Sequence, residues 1–551
     1  MKTPLISAAL ALCLAAAAQA QTQDQVRADA LDPSPIGSPT DPIDTSLWIG
    51  DYRNAKPRPQ YGALQVRDIL TDLNGADRLH PTRRGAVLET MHRISQASLA
   101  PGATAAGRAP QGDREVYYVA GGAGVITVNG KTHALREGGA FTLTPDFDFK
   151  LANTGKTPLT LYVRAEVLPD DFKPTNDIVV VDRFNNDRRV GAHWAHICNG
   201  GPSGMLLCTI APRTIPQPHS HPIEEVWLAV KGESILWLGK TARKMQPGQA
   251  YRIPPTGLAP HSNINLSTKE PVQLIYMGMV KRTEYPRKDY ARLDDSPFKL
   301  NGEVDVDMYS GDWEDAFPRI VHGNLYVRDM LTALQGADDL HPTRKGAVLT
   351  KADAVSYAML EPNSSAHKVD GELKGVQETF IVHSGAGYIT QGTKRFELTK
   401  GKAFVITPGM DFKMTATGSS YLTFYVVTEK LPRGVNPAAT LNVVDNSRAA
   451  TVTTDWNNQE RPLIAQKDGL AQFPAINAVE LKSMAVARPH SAAKDVEEIW
   501  IATDNDVDML FGKQLRRLPA GMAYKIPPTG ITAAGNLNFT DKPAQFLKLV
   551  R

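Results

Sequence analysis

Four residues between Gln217 and Asn265 have the types and spacing of a metal site: His219, His221, Glu225 and His261. On a strand the side chains alternate faces, so His219 and His221 project to the same side and both imidazoles can reach one ion. A carboxylate four residues on and a third histidine from a later strand complete a set of three nitrogens and one oxygen. Such a set suits a transition metal with positions open to water, oxygen or substrate, and the absence of cysteine ligands argues against a purely structural zinc. Glu224 alternates to the opposite face from Glu225 and reads as a structural or surface acid.

The elements that would carry these residues are strands. Alternating or β-branched runs such as Val116 to Val119, Gly124 to Val128, Phe141 to Thr144 and Leu159 to Val163 are separated by Gly, Pro, Asn or Asp turns, which argues for all-β barrels or sandwiches. Helical periodicity surfaces only in Val66 to Leu73 and its copy at Val327 to Leu334. A chain of 551 residues exceeds one ordinary core and implies several domains, and 43 glycines with 39 prolines fit a turn-rich protein. With 61 basic against 58 acidic residues and no basic run, nucleic acid is not an expected partner.

The N-terminus opens on Met1-Lys2-Thr3, continues through an apolar stretch from Leu5 to Ala18 and reaches Ala18-Gln19-Ala20, the pattern of a secretory signal peptide cut after Ala20. The expected location is therefore secreted or periplasmic, with no membrane association once the signal is removed. Of the three cysteines Cys13 leaves with the signal, and Cys198 and Cys208 flank the turn-rich NGGPSGMLL. An oxidising compartment permits them a disulfide across a hairpin, and two buried thiols are the alternative.

The chain is written twice. VRDILTDLNGADRLHPTRRGAVL at Val66 to Leu88 returns as VRDMLTALQGADDLHPTRKGAVL at Val327 to Leu349, and YRIPPTGLAPHSNIN at Tyr251 to Asn265 returns as YKIPPTGITAAGNLN at Tyr524 to Asn538. The architecture is thus A-B-A′-B′: signal peptide 1–20, flexible lead-in 21–47, first unit 48–180, second 181–285, linker 286–308, third 309–442 and fourth 443–551.

The run His219-x-His221-xxx-Glu225-xxxxxx-Gly232, followed by Gly248, Pro255-x-Gly257, His261 and Asn265, resembles the two motifs of the cupin superfamily. The glycine that usually opens the first motif is replaced around Arg213, and His261 sits one residue further from Gly257 than usual; neither departure removes a ligand. The glutamate and glycine spacing recurs at Glu115/Gly122 and Glu378/Gly385. The resemblance implies four jelly-roll β-barrels, a duplicated bicupin.

Aligned on the glutamate, the histidine positions hold Ala109 and Gln111 in the first unit, with Phe147 and Phe149 where the last histidine belongs. The third unit has Glu372, Lys374 and Phe412, with His367 out of register; the fourth keeps His490 but has Ala492 and Ala534. One ion per chain, in the second barrel, is the expected stoichiometry: a divalent Mn, Fe, Cu, Ni or Zn. Other candidates have bland readings: His193 and His196 as a polar cluster, His80 and His341 as turn caps beside proline, Trp227, Trp237 and Tyr251 as barrel packing, with a substrate wall as the alternative. Arg252 faces opposite to Tyr251, towards an anionic substrate or solvent.

The resemblance implies a metal-dependent oxygenase or decarboxylase/oxidase acting on a small organic or aromatic molecule, as a monomer or homo-oligomer. A non-catalytic binding or structural cupin is the alternative, as is an isomerase or lyase acting on a sugar-derived substrate.

Overall fold

The computed structural model describes residues 43–110, 112–168, 178–182, 192–198, 203–216, 219–220, 224–255, 261–279, 291–292, 304–434, 437–454, 456–511, 514–530 and 534–551. Among them there are strands, turns and short 3-10 segments and no α-helix. The chain forms two compact units, within Asp29–Leu293 and within Asp294–Arg551.

In the first unit the first barrel closes one sheet over another. The larger orders Val179–Asp182, Gly139–Leu143, Asp113–Gly121, Leu159–Val167, Met91–Leu99, Leu64–Asp72 and Arg58–Gln60; the smaller orders Thr104–Arg108, Asp148–Asn153, Ala123–Val128 and Lys131–Arg136. The second barrel faces a sheet ordered Ile49–Asp51, Gln249–Arg252, Glu225–Lys231, Val272–Met279, Ser203–Ile210, Ala192–Cys198 against a run of Ala291–Arg292, His219–Ser220, His261–Ile264, Ser234–Leu238 and Thr241–Met245.

The large sheets of the two barrels pack back to back, so their strands are buried on both faces. Along Glu225–Lys231, Trp227 and Ala229 enter the barrel interior, while Val226 and Leu228 join Ile69, Val87, Ile94 and Tyr118 in a core between the barrels. Along Asp113–Gly121, Tyr117 and Val119 point inward and Val116 and Tyr118 outward. Period-two alternation between two dry cores explains why these strands read as unbroken apolar runs.

The second unit repeats this plan. Its third barrel sets Pro318–Val321, Leu325–Ala333, Ala352–Leu360, Leu422–Lys430, Val376–Ser384, Ala403–Ile406 and Val443–Val444 against Ser365–His367, Lys413–Thr417, Ala386–Gln391 and Lys394–Leu398. The fourth sets Ser310–Asp312, Met522–Lys525, Glu498–Ala502, Ala544–Val550, Ala475–Leu481, Asn458–Ala465 and Val452–Thr453 against Ala485–Val486, Ala534–Asn538, Val507–Phe511 and Gln514–Leu518. Ile499 and Ile501 face the shared core, Trp500 and Ala502 the barrel.

Four sequence expectations change. Val66 to Leu73 is not a helix but lies in the strand Leu64–Asp72, and its copy in Leu325–Ala333. A register shift between Asp68 and Leu70 makes Ile69 an extra residue, so Ile69 and Leu70 both reach the shared core while Val66 faces the barrel. That bulge gives apolar residues the i, i+3, i+4 spacing of a helix. Second, the residues just after the expected start of the first and third barrels belong to the neighbouring sheet: Ile49 pairs with Tyr251 and Ser310 with Tyr524. Gly50 permits the crossing, since a Cβ there would meet the Ile69 carbonyl oxygen at 1.8 Å. Third, Cys208 stands opposite Trp194 while Cys198 stands opposite Met205, and Cys208 is a free thiol whose pKa burial pushes up to about 12. In this register the two cysteines do not stand opposite each other. Fourth, Arg252 meets neither substrate nor solvent: it is buried, donates to the Val87 carbonyl and to Glu89, and lies 5.4 Å from the Trp48 ring centre.

Glu224 is structural and buried, accepting hydrogen bonds from the amides of Glu89 and Thr90. In the second unit Glu497 accepts from the amides of Thr350, Lys351 and Ala352, and the buried Lys525 ammonium lies 3.6 Å away while donating to the Val348 carbonyl at 2.7 Å. Each acid pins one barrel to the other. Glu497→Ala strands those amides and the ammonium and should cost about 3–5 kcal/mol in urea unfolding, with Glu497→Gln intermediate. A loss below about 1 kcal/mol would mean that this tie does not hold the barrels together.

Candidate metal centre

Glu225 opens its strand and, two residues from Trp227, shares the barrel-facing side. It is wholly buried; the Trp227 indole donates to Oε1, and the Glu225 carbonyl accepts from the Ile253 amide. From the opposite sheet the buried His261 brings Nε2 to 3.2 Å from Glu225 Oε1. Residue 219 lies directly across from residue 261 in the antiparallel register. The side chain of His219 and the whole of His221 fall outside the described residues, as do the side chains of His193 and His196. Among the described residues no three histidines, cysteines or acids group as an ion would need. The two donors that are described fit such an ion: a buried carboxylate and an imidazole converge from two sheets.

The aromatic candidates are packing residues. Trp227 meets Tyr276 edge-on, and the Trp237 indole donates to the Gly239 carbonyl at 2.6 Å. Tyr251 is enclosed near Glu225, and burial, reinforced by that charge, raises its phenol pKa well above the ordinary value. His80 and His341 cap turns, each with Nδ1 2.8 Å from an aspartate three residues back, Asp77 and Asp338.

The other three barrels keep the buried glutamate and satisfy it differently. In the first, Glu115 accepts from Arg93, from Gln60 at 3.0 Å, from the Tyr61 hydroxyl at 2.9 Å and from the Tyr117 hydroxyl at 2.7 Å, while Ala109, Phe147 and Phe149 lie buried at the former ligand positions. In the third, His322 Nε2 lies 2.8 Å from Glu378 Oε2. In the fourth, His490 Nε2 lies 2.9 and 3.0 Å from the two oxygens of Glu498, and the Trp500 indole donates at 2.7 Å.

Sequence reading missed Arg93, Tyr61 and His322, and passed over His322 for His367, which sits exposed on the strand Ser365–His367. Tyr61 and His322 occupy equivalent hairpin loops, just before Gly62 and Gly323, and adopt left-handed backbone with φ of +51° and +48°. That conformation swings a turn residue into the barrel mouth. The signal was present as Tyr-Gly and His-Gly immediately ahead of the repeated strand.

The Cupin domain family model matches residues 96–164 and 206–278, one segment in each barrel of the first unit. No curated protein matches the chain in sequence. Among solved structures, AerE from Microcystis aeruginosa is 13% identical, with 43% of this chain and 100% of that one covered and a TM-score of 0.33. A variant oxalate decarboxylase of B. subtilis is 14% identical over 46% of this chain and 82% of that one, TM-score 0.33. Vicilin from hazelnut, Corylus avellana, is 11% identical over 42% and 85%, TM-score 0.32.

The His490 pair gives a pH signature. Burial opposes the charged ring, yet the hydrogen bond and charge of Glu498 raise its pKa above 6.5, while burial raises and His490 more than offsets that for Glu498, leaving its pKa below 4.5. A raised histidine stabilises fully below its unfolded pKa and loses this as pH rises through the folded value; a depressed acid loses its share as pH falls. The pair therefore contributes most between 4.5 and 6.5. His490→Gln should lower the unfolding temperature more at about pH 5.5 than at about pH 9. Equal losses at both would mean that Glu498 does not hold the ring in its protonated form.

Proposed function

We propose that this chain, a member of the cupin superfamily, is an exported metal-dependent enzyme with one centre, in the second barrel, where His219, His221, Glu225 and His261 hold a single divalent Mn, Fe, Cu, Ni or Zn ion. The reaction is an oxygenase or decarboxylase/oxidase reaction on a small organic or aromatic molecule.

One observation carries this reading. Every barrel has the buried glutamate, and three of them supply it with Arg93, His322 or His490 and put alanine, phenylalanine or charged residues at histidine positions. The second alone has three histidines around it in sequence. Cupins commonly bind a transition metal, and three neutral imidazoles with one carboxylate would leave a divalent ion open positions, Lewis acidity and, with Mn, Fe or Cu, competence for oxygen chemistry.

The chain's own residues prepare the pocket. The Trp227 indole orients the Glu225 carboxylate before anything binds, and Leu236, Trp227 and Tyr251 wall the interior against water. Preorganised donors in a dry cavity need no rearrangement on binding, which is where protein sites gain over solution.

Elemental analysis of the purified mature chain should return about one metal per chain, and His219→Ala with His221→Ala should remove it while leaving the protein folded, as three barrels stand without such a set. Four ions, or none, would overturn the assignment; aggregation of the double variant would make the ion structural. Oxygen uptake and carbon dioxide release across carboxylates and phenols then test the reaction, and silence across that panel counts against it.

A further inference from the structure

The third barrel carries polar chemistry that the proposed centre does not use. At its mouth a cavity of about 190 Å³ is lined by His322, Lys368, Lys374, Thr407, Met410 and Phe412, with their loop neighbours. This is below the ~300–1,000 Å³ of drug-sized sites, so its occupant is a small molecule. His322 is almost wholly buried. Its Nε2 is committed to Glu378 at 2.8 Å. Its Nδ1 lies 3.0 Å from Glu372 Oε2 but off the direction a ring nitrogen needs, and makes no hydrogen bond. Glu372 Oε2 meanwhile accepts from the His322 amide at 2.9 Å, which fixes the carboxylate beside the ring.

A buried ring nitrogen without a hydrogen bond costs free energy unless a ligand completes it. A hydroxyl does so best here, because it can accept from Nδ1 where that nitrogen carries a proton and donate to it where it does not. At the rim, Lys368 is matched by Asp370 at 3.0 Å, whereas Lys374 has no ion-pair partner among the described residues and offers its ammonium to an anion. Met410 and Phe412 supply an apolar wall between these ends. In the first barrel Gly107, opposite Phe149, stands where the third has Lys368 beside Phe412, and the stretch from there to the buried glutamate lacks the two extra residues of the third barrel. The polar groups are therefore particular to the third barrel and not part of the common scaffold.

We propose that the third barrel is a metal-free binding site for a small hydroxylated organic acid: hydroxyl on His322 Nδ1, apolar body on Met410 and Phe412, carboxylate on Lys374. This site is independent of the centre proposed in the second barrel.

Calorimetric titration of the full chain with 4-hydroxybenzoate, benzoate and phenol tests it. 4-Hydroxybenzoate should bind saturably and more tightly than benzoate, which lacks the hydroxyl, or phenol, which lacks the carboxylate. Lys374→Glu, at an exposed position, should weaken 4-hydroxybenzoate about tenfold or more and leave phenol unchanged. The same affinity should persist in the His219→Ala, His221→Ala chain after metal removal. Loss of binding in that chain would place the acid in the second barrel, and absence of binding, or indifference to Lys374→Glu, would equally overturn the proposal.

Discussion

A carboxylate sealed inside a β-barrel governs this molecule. Moving such a charge out of water costs several kcal/mol, and one left unpaired is not tolerated. Glu115, Glu225, Glu378 and Glu498 are all buried, each at or near the start of a strand and facing the interior. Each barrel must therefore bring a cation or a set of donors to the same point. The first brings Arg93 and two phenols, the third a histidine from a hairpin, the fourth a histidine from the strand motif. The acid is common, and its partner is what diverges.

The same strand also sets the packing of barrel on barrel. In the second barrel two acids stand side by side, and alternation sends Glu225 inward while Glu224 reaches the amides of Glu89 and Thr90 in the first. Glu497 and Glu498 repeat the division in the second unit. Residue Arg252, or Lys525, lies across the sheet on the outward side and binds a carbonyl of the neighbouring barrel, Val87 or Val348. One pair of sequential residues thus fixes both the interior site and the wall behind it. A buried polar network of this kind gains its value from being complete, because each deleted member leaves the others desolvated.

The sequence made the β class, the duplication and the positions of the four glutamates legible, because strand alternation and repeated motifs are local signals. What it hid depended on three-dimensional context. The bulge at Ile69 disguised a strand as a helix by one inserted residue. Ile49–Asp51 looked like the start of one barrel and completes the sheet of another, a long-range pairing with no local mark. Tyr61 and His322 come from turns, where a left-handed residue usually signals only chain reversal, and their reach to Glu115 and Glu378 follows from the closure of the barrel. Cys198 and Cys208 looked able to pair across a hairpin, but the strand register offsets them. Of the metal set, Glu225 and His261 come together and residue 219 faces 261, while His221 lies outside the described residues.

The glutamate by itself is consequently no marker of a metal. Three barrels hold it with protein groups alone, and the fourth barrel shows that a single imidazole from the 219-equivalent position, helped by an indole, is enough. In the second barrel His261 and Trp227 already perform that service for Glu225. With His219 and His221 the second barrel carries, in sequence, three histidines where the fourth has His490 alone. Two further imidazoles near one acid bring nitrogens that must themselves be satisfied, and protonating all three would leave the carboxylate outnumbered by positive charge. A divalent ion would reverse the account, because it would take the imidazoles in their neutral form as ligands and use the one negative charge that is buried there. Three histidines in sequence where the fourth barrel manages with one is the difference that the metal reading accounts for.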